Sequence, residues 1–162
     1  MSTVVIVVSD NHLRKETIRD IRQFHTEAQV FIHCGDSEMS YKELTGYACV
    51  RGNCDYDFDI PSSIVVPVEN HKIFVVHGHR QLFFRSYGEL IKEAKHRDCD
   101  IVCFGHIHRY VDEYEDGIRL LNPGSLRNNR DGSPPSYMRV TIDQDVIQVE
   151  HLEYPKDLPI NR

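Results

Sequence analysis

Side chains that commonly bind metals recur in this chain in one repeated local pattern. Each follows a short apolar run and stands beside a backbone break such as glycine. The pattern is clearest where residues 101–104 are followed by Gly105 and then by two histidines one residue apart. Carboxylate, amide and imidazole groups that converge from separate segments are typical of a metal centre. The candidate ligands are Asp10, His12, Asp36, Asn53, His77, His106 and His108.

Each of these residues also has a simpler explanation when it is taken alone. Asp10 or Asn53 could be a helix cap or a turn residue, and His77 could be a hydrogen-bonded core histidine. Separate caps and core residues do not explain why the same pattern recurs at five strand ends. The recurrence therefore favours one composite metal site.

The number and type of the candidate ligands indicate how many metals they would bind. Two carboxylates, one amide and four imidazoles exceed the four ligands of an ordinary zinc site and suit two ions that share a carboxylate. Mixed nitrogen and oxygen ligation favours manganese first, and then iron, zinc, nickel or cobalt. Two divalent ions carry more charge than two carboxylates, which suits a bridging hydroxide and an anionic substrate such as a phosphate ester.

The elements that must position these residues can be predicted from hydrophobic periodicity. Strands and helices alternate over the first two-thirds of the chain, which predicts an α/β layered sheet with helices outside, and antiparallel strands follow. In such folds ligands bind beyond the carboxyl ends of the strands. A Ser86–Glu89 capping box is expected to open the second helix. The predicted strands are 4–8, 28–34, 47–50, 64–68, 72–76, 101–104, 110–114, 117–121, 137–142 and 146–151; the predicted helices are 13–25 and 86–97, with a short helical segment near 37–44.

Length and composition limit the class of protein. The 162 residues predict a single domain, 1–162, with residues from about 155 to 162 as a loosely held tail. The formal net charge of −6 argues against general charge attraction to nucleic acid. The apolar run at residues 4–8 is too short for a signal peptide or a membrane span. The five cysteines include no C-x-x-C pair, which predicts reduced thiols and a soluble cytoplasmic protein.

Five segments carry a resemblance to a known family. Asp10-x-His12, Gly35-Asp36, Gly52-Asn53, His77-Gly78 and Gly105-His106-x-His108 resemble, in order and type, the signature motifs of the calcineurin-like metallophosphoesterases. The resemblance covers residues 4–125, and the short length is similar to the cap-less bacterial and archaeal phosphodiesterase branch. It implies a two-layer β-sandwich flanked by helices, with a dinuclear metal site at the strand carboxyl ends.

The resemblance also implies a division of the ligands between two metals. Asp36 would bridge the metals. Asp10, His12 and His108 would complete one site, and Asn53, His77 and His106 would complete the other. The implied reaction is hydrolysis of a phosphodiester by in-line attack of a metal-bridging hydroxide on phosphorus, with Asp36, Asn53, Cys54 and His77 as the catalytic candidates.

One position departs from the family pattern. Many relatives have a histidine after the Gly-Asn of the third motif, where this chain has Cys54. The general acid for the leaving group therefore stays unassigned, and Cys54 either faces the leaving group or packs beneath the site. A phosphomonoesterase, a nuclease, or a non-catalytic scaffold like the retromer subunit of this fold are the alternatives.

The expected partner is a small phosphate ester, with no stable nucleic acid complex, no membrane, and a homodimer or homotetramer as the assembly. His33 could have a core or outer role, or could act at the site directly, and His79 is expected to be an outer hydrogen-bonding residue. Arg127 and Arg130 could contact the substrate. The Asn122–Ser125 turn is also similar to one in this branch, and its role is left open.

Overall fold

The computed structural model of the protein describes residues 2–160 and contains two five-stranded sheets packed face to face. Two α-helices cover the outer faces, and a short 3-10 helix, Lys42–Leu44, lies in the segment predicted to be briefly helical. The strands are β1 (Thr3–Val8), β2 (Val30–His33), β3 (Ala48–Cys49), β4 (Ser63–Val68), β5 (His71–Val76), β6 (Ile101–Cys103), β7 (Tyr110–Glu115), β8 (Ile118–Pro123), β9 (Ser136–Asp143) and β10 (Val146–Glu153); the helices are α1 (Lys15–Phe24) and α2 (Gly88–His96).

The first sheet has the strand order β10-β9-β1-β2-β3, and the second has the order β4-β5-β6-β8-β7. Strands β1, β2 and β3 run parallel to one another, as do β5, β6 and β8. The last third of the chain forms two antiparallel hairpins as predicted, but the hairpins join different sheets and β8 pairs in parallel with β6. The carboxyl ends of β1 and β2 therefore share one edge of the first sheet, and those of β5 and β6 share one edge of the second.

Side-chain alternation along the central strands builds the layers. Val5 and Val7 of β1 point into the core between the two sheets, where they pack with residues of β5 and β6. Ile6 and Val8 point the other way and pack with Ile18 and other residues of α1. Both faces of β1 are thus covered, as its unbroken β-branched sequence predicted.

The second helix packs on the outer face of the second sheet through Leu90, Ile91 and Ala94, which are the residues predicted for its buried side. The predicted capping box is wrong. The helix begins at Gly88 and Tyr87 occupies the cap position, so the Ser86 hydroxyl lies one residue too early and accepts a hydrogen bond from the Gly88 N–H at 3.0 Å.

The segment after β10 is packed more firmly than predicted. Leu158 is buried in the core on the α1 side, and the Tyr154 hydroxyl donates to Asp20 Oδ2 at 2.6 Å. Residues 161 and 162 of the predicted tail lie outside the described residues. The five cysteines are free thiols, and all but Cys54 are buried. Neither α-helix within residues 2–160 has the length and apolarity needed to cross a bilayer.

Candidate metal centre

Backbone hydrogen bonds hold the loops that follow the parallel strands against one another. The Asp10 N–H donates to the Gly35 carbonyl at 3.0 Å, directly joining the loops after β1 and β2. The Gly105 N–H donates to the His77 carbonyl at 3.0 Å, joining the loops after β6 and β5. The His106 N–H then donates to Asp10 Oδ2 at 3.0 Å, which connects the two sheets. The predicted ligands therefore meet at one edge of the sandwich.

Three imidazoles surround two buried carboxylates. His77 Nε2 lies 3.2 Å from Asp36 Oδ2, and His108 Nε2 lies 3.3 Å from Asp10 Oδ1. His12 Nε2 lies between the carboxylates, 3.7 Å from Asp10 Oδ1 and 3.9 Å from Asp36 Oδ2. Each imidazole thus directs the same ring nitrogen toward a shared centre.

The other ring nitrogens are bound by outer partners. His77 Nδ1 lies 2.8 Å from the Cys34 carbonyl oxygen, and His108 Nδ1 lies 3.0 Å from the Asn128 carbonyl oxygen. A carbonyl only accepts, so the proton of each neutral imidazole sits on Nδ1 and the Nε2 lone pair faces the carboxylates. Metal-binding histidines are oriented in this way in proteins.

The residues fit a divalent metal. Among residues 2–160, the buried atoms Asp10 Oδ1 and His77 Nε2 have no hydrogen-bond partner, although they lie 3.9 Å apart. Two buried electron-rich atoms that face each other require a proton or a cation between them. Ligand atoms of Asp10, His12 and His108 lie within 4.8 Å of one another, and so do those of Asp10, Asp36 and His77.

Protonation reflects the same charge balance. Burial opposes ionisation of Asp10, but the nearby imidazoles of His108 and His12 hold its pKa well below the usual range. The contact with Asp10 raises the pKa of His12 to about 9, against the effect of burial and with help from Glu38, whose Oε2 lies 2.9 Å from His12 Nδ1. The raised pKa of His12 keeps a proton beside the carboxylates where a metal cation would bind. Acid should therefore weaken metal binding.

The remaining predicted residues lie around this group. The His106 ring centroid lies 5.1 Å from that of His77, edge to face. The Cys54 N–H donates to Asp36 Oδ1 at 2.8 Å, and Asn53 Nδ2 contacts Cys54 Sγ at 3.6 Å. The structure therefore brings Asp10, His12, Asp36, His77, His106 and His108 together, with Asn53 and Cys54 at the exposed margin.

Cys54 is also placed where it could bind a metal, because its Sγ lies within 4.8 Å of ligand atoms of His12 and Asp36. Burial, followed by the charge and hydrogen bond of Asp36, raises the pKa of the Cys54 thiol to about 11. The neutral thiol is therefore the form that faces the metal-free centre at neutral pH.

The backbone at the centre is unusual. Most of the clustered ligand residues have positive φ, a conformation that costs a non-glycine residue about 1 kcal/mol or more. Backbone hydrogen bonds between loops and the charge of the centre must therefore offset this strain. The φ values are 55° for Asp10, 40° for His12, 60° for Asp36, 72° for His106 and 53° for His108.

Asp55 positions the centre and was missed by the sequence analysis. Its Oδ2 accepts hydrogen bonds from the N–H groups of Asp36 at 2.9 Å and Gly52 at 2.7 Å, and its Oδ1 accepts from the Glu38 N–H at 2.7 Å. One carboxylate thus joins the loops after β2 and β3. The sequence signal was its place two residues after Asn53 in the third motif.

The Asn122–Ser125 turn, whose role the sequence left open, holds two ligand loops. The Asn122 amide donates to the Gly105 carbonyl at 3.0 Å, and the Ser125 hydroxyl donates to the Asp10 carbonyl at 2.7 Å. The turn therefore positions the two ligand loops through hydrogen bonds to their backbone carbonyls.

His33 and His79, which were discounted as ligands, differ in their surroundings. His33 accepts from the Gly35 N–H at 3.0 Å and contacts Asn11 Oδ1 at 2.7 Å, and burial lowers its pKa to about 4, so it is a neutral structural histidine. The His79 ring centroid lies 5.5 Å from that of His77. Its Nδ1 is buried without a hydrogen-bond partner in residues 2–160, so the expected outer hydrogen bond is not formed there.

Two glycines permit close approach at the centre. A Cβ atom at Gly52 would overlap Asp36 Oδ1, and one at Gly105 would lie 2.6 Å from Asp10 Oδ2. Both carboxylates therefore need a neighbour without a side chain.

These motifs and this fold belong to one family. A model of the calcineurin-like phosphoesterase superfamily domain matches residues 4–145, and the chain is a member of that superfamily, as its five motifs predicted. Among curated proteins, it is 34% identical to the probable metallophosphoesterase YsnB of Bacillus subtilis, over 90% of this chain and 88% of the relative. It is 32% identical to the phosphodiesterase YfcE of Escherichia coli, over 70% of this chain and 59% of the relative.

Solved structures agree with the predicted two-layer sandwich. A conserved protein of Streptococcus pneumoniae TIGR4, described as a predicted phosphoesterase, superposes with a TM-score of 0.87 at 29% identity, covering 96% of this chain and 94% of that one. Vps29 of Entamoeba histolytica in complex with zinc superposes with a TM-score of 0.71 at 21% identity, covering 93% and 98%. The second similarity concerns the fold alone.

Proposed function

We propose that the protein is a metal-dependent phosphodiesterase that hydrolyses small phosphate esters. The observation that supports this most directly is the arrangement of His77 and His108, whose Nδ1–H groups bind carbonyls while both Nε2 atoms face buried carboxylates. Hydrolase chemistry in this family depends on metal, and YfcE carries the name of a phosphodiesterase. Such an arrangement of ligands is useful for catalysis, whereas a sheet edge with only a structural role does not need it.

The residues have distinct roles in the proposal. Asp36 would bridge two divalent ions, manganese being the first choice. Asp10, His12 and His108 would hold one ion with it, and Asn53, His77 and His106 would hold the other. When bound, the ions supply positive charge for the phosphoryl oxygens and acidify water.

The chain's own groups orient this chemistry. Asp55 holds the Asp36 backbone, and Glu38 and the Cys34 carbonyl hold the rings of His12 and His77. In the proposal no side chain attacks phosphorus, so the reaction proceeds by hydrolysis without a phosphoenzyme. The leaving group departs without an imidazolium at position 54.

The alternatives are a phosphomonoesterase, a nuclease, or a non-catalytic scaffold with this fold. The net charge of −6 disfavours a nuclease that binds a long polyanion. A scaffold has no physical need for a buried pair of carboxylates whose imidazoles are fixed from behind. A cytoplasmic location, the lack of membrane or stable nucleic acid complexes, and a homodimer or homotetramer remain predictions.

Metal analysis of the purified protein, combined with turnover of matched substrates, tests the proposal. After chelation and reconstitution with manganese, iron, zinc, nickel or cobalt, we expect about two ions per chain and faster hydrolysis of bis(p-nitrophenyl) phosphate than of p-nitrophenyl phosphate. Faster monoester hydrolysis would favour the phosphomonoesterase. Absence of both metal and turnover would favour the scaffold.

A further inference from the structure

Three arginines line one cavity next to the metal centre. The cavity has a volume of about 530 Å³, within the range of small-molecule sites. It combines the arginines with apolar and aromatic walls. Its lining residues are Leu82, Arg85, Tyr87, Ile107, Arg109 and Arg130, and we call it the arginine cavity.

The arginine cavity adjoins the predicted ligands directly. Ile107 lies between His106 and His108 in the chain, and the Arg130 N–H donates to the His108 carbonyl at 2.9 Å. On the other side, the Tyr87 ring packs on Phe104, with ring centroids 5.7 Å apart. A substrate held at the centre can therefore extend into this cavity.

The arginines of the cavity are not neutralised by carboxylates. Four arginines elsewhere in the chain pair with carboxylates, as Arg119 does with Asp112 at 2.7 Å. Between residues 2 and 160, the side chains of Arg85, Arg109 and Arg130 make no such ion pair. The mildly acidic chain thus concentrates three unpaired positive charges around a single cavity, where they repel one another until an anion binds.

Glu113, an acidic residue near the rim of the cavity, is hydrogen-bonded to Tyr87. Glu113 Oε2 accepts a hydrogen bond from the Tyr87 hydroxyl at 3.3 Å, and Arg109 contacts the same tyrosine. Tyr87 therefore links Glu113 to the cavity wall.

The chemistry of the lining selects a ligand class. Guanidinium groups match the oxygen geometry of phosphate and can bind it through paired hydrogen bonds. Leu82, Tyr87 and Ile107 suit the organic part of a ligand. We propose that the arginine cavity binds a second phosphate of the substrate, so that the preferred substrate is a small phosphodiester that also carries a phosphate monoester group.

This inference rests on the proposed phosphodiesterase function and specifies its substrate class. A contact remote from the reacting phosphorus is made equally in the ground state and the transition state, so it should lower KM with little effect on kcat. We expect each arginine to contribute roughly five- to tenfold, the size of an exposed charge-assisted contact. The contribution should shrink as salt concentration rises.

Two matched pairs of compounds test the proposal on the manganese-loaded full chain. Turnover compares the p-nitrophenyl ester of thymidine 5′-phosphate with the same ester carrying a 3′-phosphate. Calorimetric titration compares thymidine 5′-phosphate with thymidine 3′,5′-bisphosphate. The variants are Arg109→Gln and Arg130→Gln, and the matched control is Arg19→Gln, which removes one exposed charge from α1 on the first sheet.

We expect the wild type to favour the additionally phosphorylated member of each pair by about tenfold or more in KM and Kd. Arg109→Gln and Arg130→Gln should narrow that preference, whereas Arg19→Gln should preserve it. The proposal would be overturned if the wild type and all three variants had the same preference for the additionally phosphorylated compound. It would also be overturned if Arg19→Gln reduced this preference as much as the cavity variants do. Hydrolysis of both diesters without preference would refute the cavity and leave the phosphodiesterase intact. Selective binding of the bisphosphate without hydrolysis of either diester would support the arginine cavity and refute the phosphodiesterase function.

Discussion

The Nε2 atom of His77 lies 3.2 Å from Oδ2 of Asp36, while its Nδ1 faces the Cys34 carbonyl at 2.8 Å. Burial opposes the charged form of both side chains, but their mutual contact raises the pKa of His77 and lowers that of Asp36. A proton can fill this gap in the metal-free protein, and a divalent cation can replace it. Proton and metal therefore compete for one position.

Asp36→Asn should remove most of the bound metal and lower phosphodiesterase turnover by several orders of magnitude. The amide keeps the size of the side chain but loses the charge that balances His77 and would bridge two ions. Mass spectrometric metal analysis and turnover of bis(p-nitrophenyl) phosphate measure both effects, with circular dichroism to check the fold. A folded variant with near-normal turnover would contradict the dinuclear proposal.

Asp55→Asn should weaken metal binding by about 10- to 100-fold, as loss of an outer partner commonly does. An amide cannot accept all the N–H groups that the Asp55 carboxylate binds, including those of Asp36 and Gly52. Asp57→Asn is the matched control, because Asp57 accepts from the Tyr41 N–H at 2.8 Å outside the centre. Metal titration of both variants gives the comparison, and equal affinities would refute the positioning role of Asp55.

Gly52→Ala should abolish most activity while Gly88→Ala leaves it intact. The added methyl group at position 52 would overlap Asp36 Oδ1, whereas at position 88 its closest contact would be Ser86 Oγ at 3.2 Å. Metal content, turnover and thermal unfolding of the two variants separate a local effect on the centre from global destabilisation. Normal metal binding by Gly52→Ala would show that the Asp36 loop can shift without loss.

Cys54→His should raise the rate on esters with poor leaving groups more than the rate on aryl esters. An imidazolium can donate a proton to a departing alkoxide, which is worth roughly 10²–10⁴-fold for general acid catalysis. The neutral Cys54 thiol beside Asp36 is a poorer donor. The measurement is the slope of log rate against leaving-group pKa for a series of diesters. An unchanged slope in a folded, metal-loaded variant would assign Cys54 to packing alone.

His71 should make the metal-free protein less stable as pH rises above neutrality. Burial of the ring opposes protonation, but Asp100 and the Gln144 carbonyl outweigh it and raise the pKa of His71. The stabilisation is complete below the unfolded pKa of about 6.5 and is lost as pH rises through the higher folded value. Thermal unfolding of wild type and His71→Gln from pH 5 to 9 checks this, and parallel curves would contradict it.

The clustering of the candidate ligands at one sheet edge could be predicted from the sequence because their signal is local. Each follows an apolar strand, and parallel strands bring their carboxyl ends to one edge. The parallel pairing of β8 with β6 could not be predicted from the sequence, since a strand's partner depends on the whole fold. The outer roles of Asp55 and Ser125 depend on backbone N–H and carbonyl groups distant in sequence. Positive φ at His106 was equally unforeseeable, because propensities disfavour it there.

The first sheet places its N-terminal strand β1 between β2 and β9, with Thr3 opposite Ile142. The Ser125 hydroxyl likewise closes the Asp10 loop across 115 residues of sequence. During synthesis, β1 and its Asp10 loop therefore leave the ribosome long before their last partners exist. Long-range pairing of this kind is slow to form, so the nascent chain must wait with one side of β1 unpaired. We therefore expect the metal centre to form only after Ser125 and β9 have been synthesised, and chains that end earlier should lack both a complete first sheet and a complete centre.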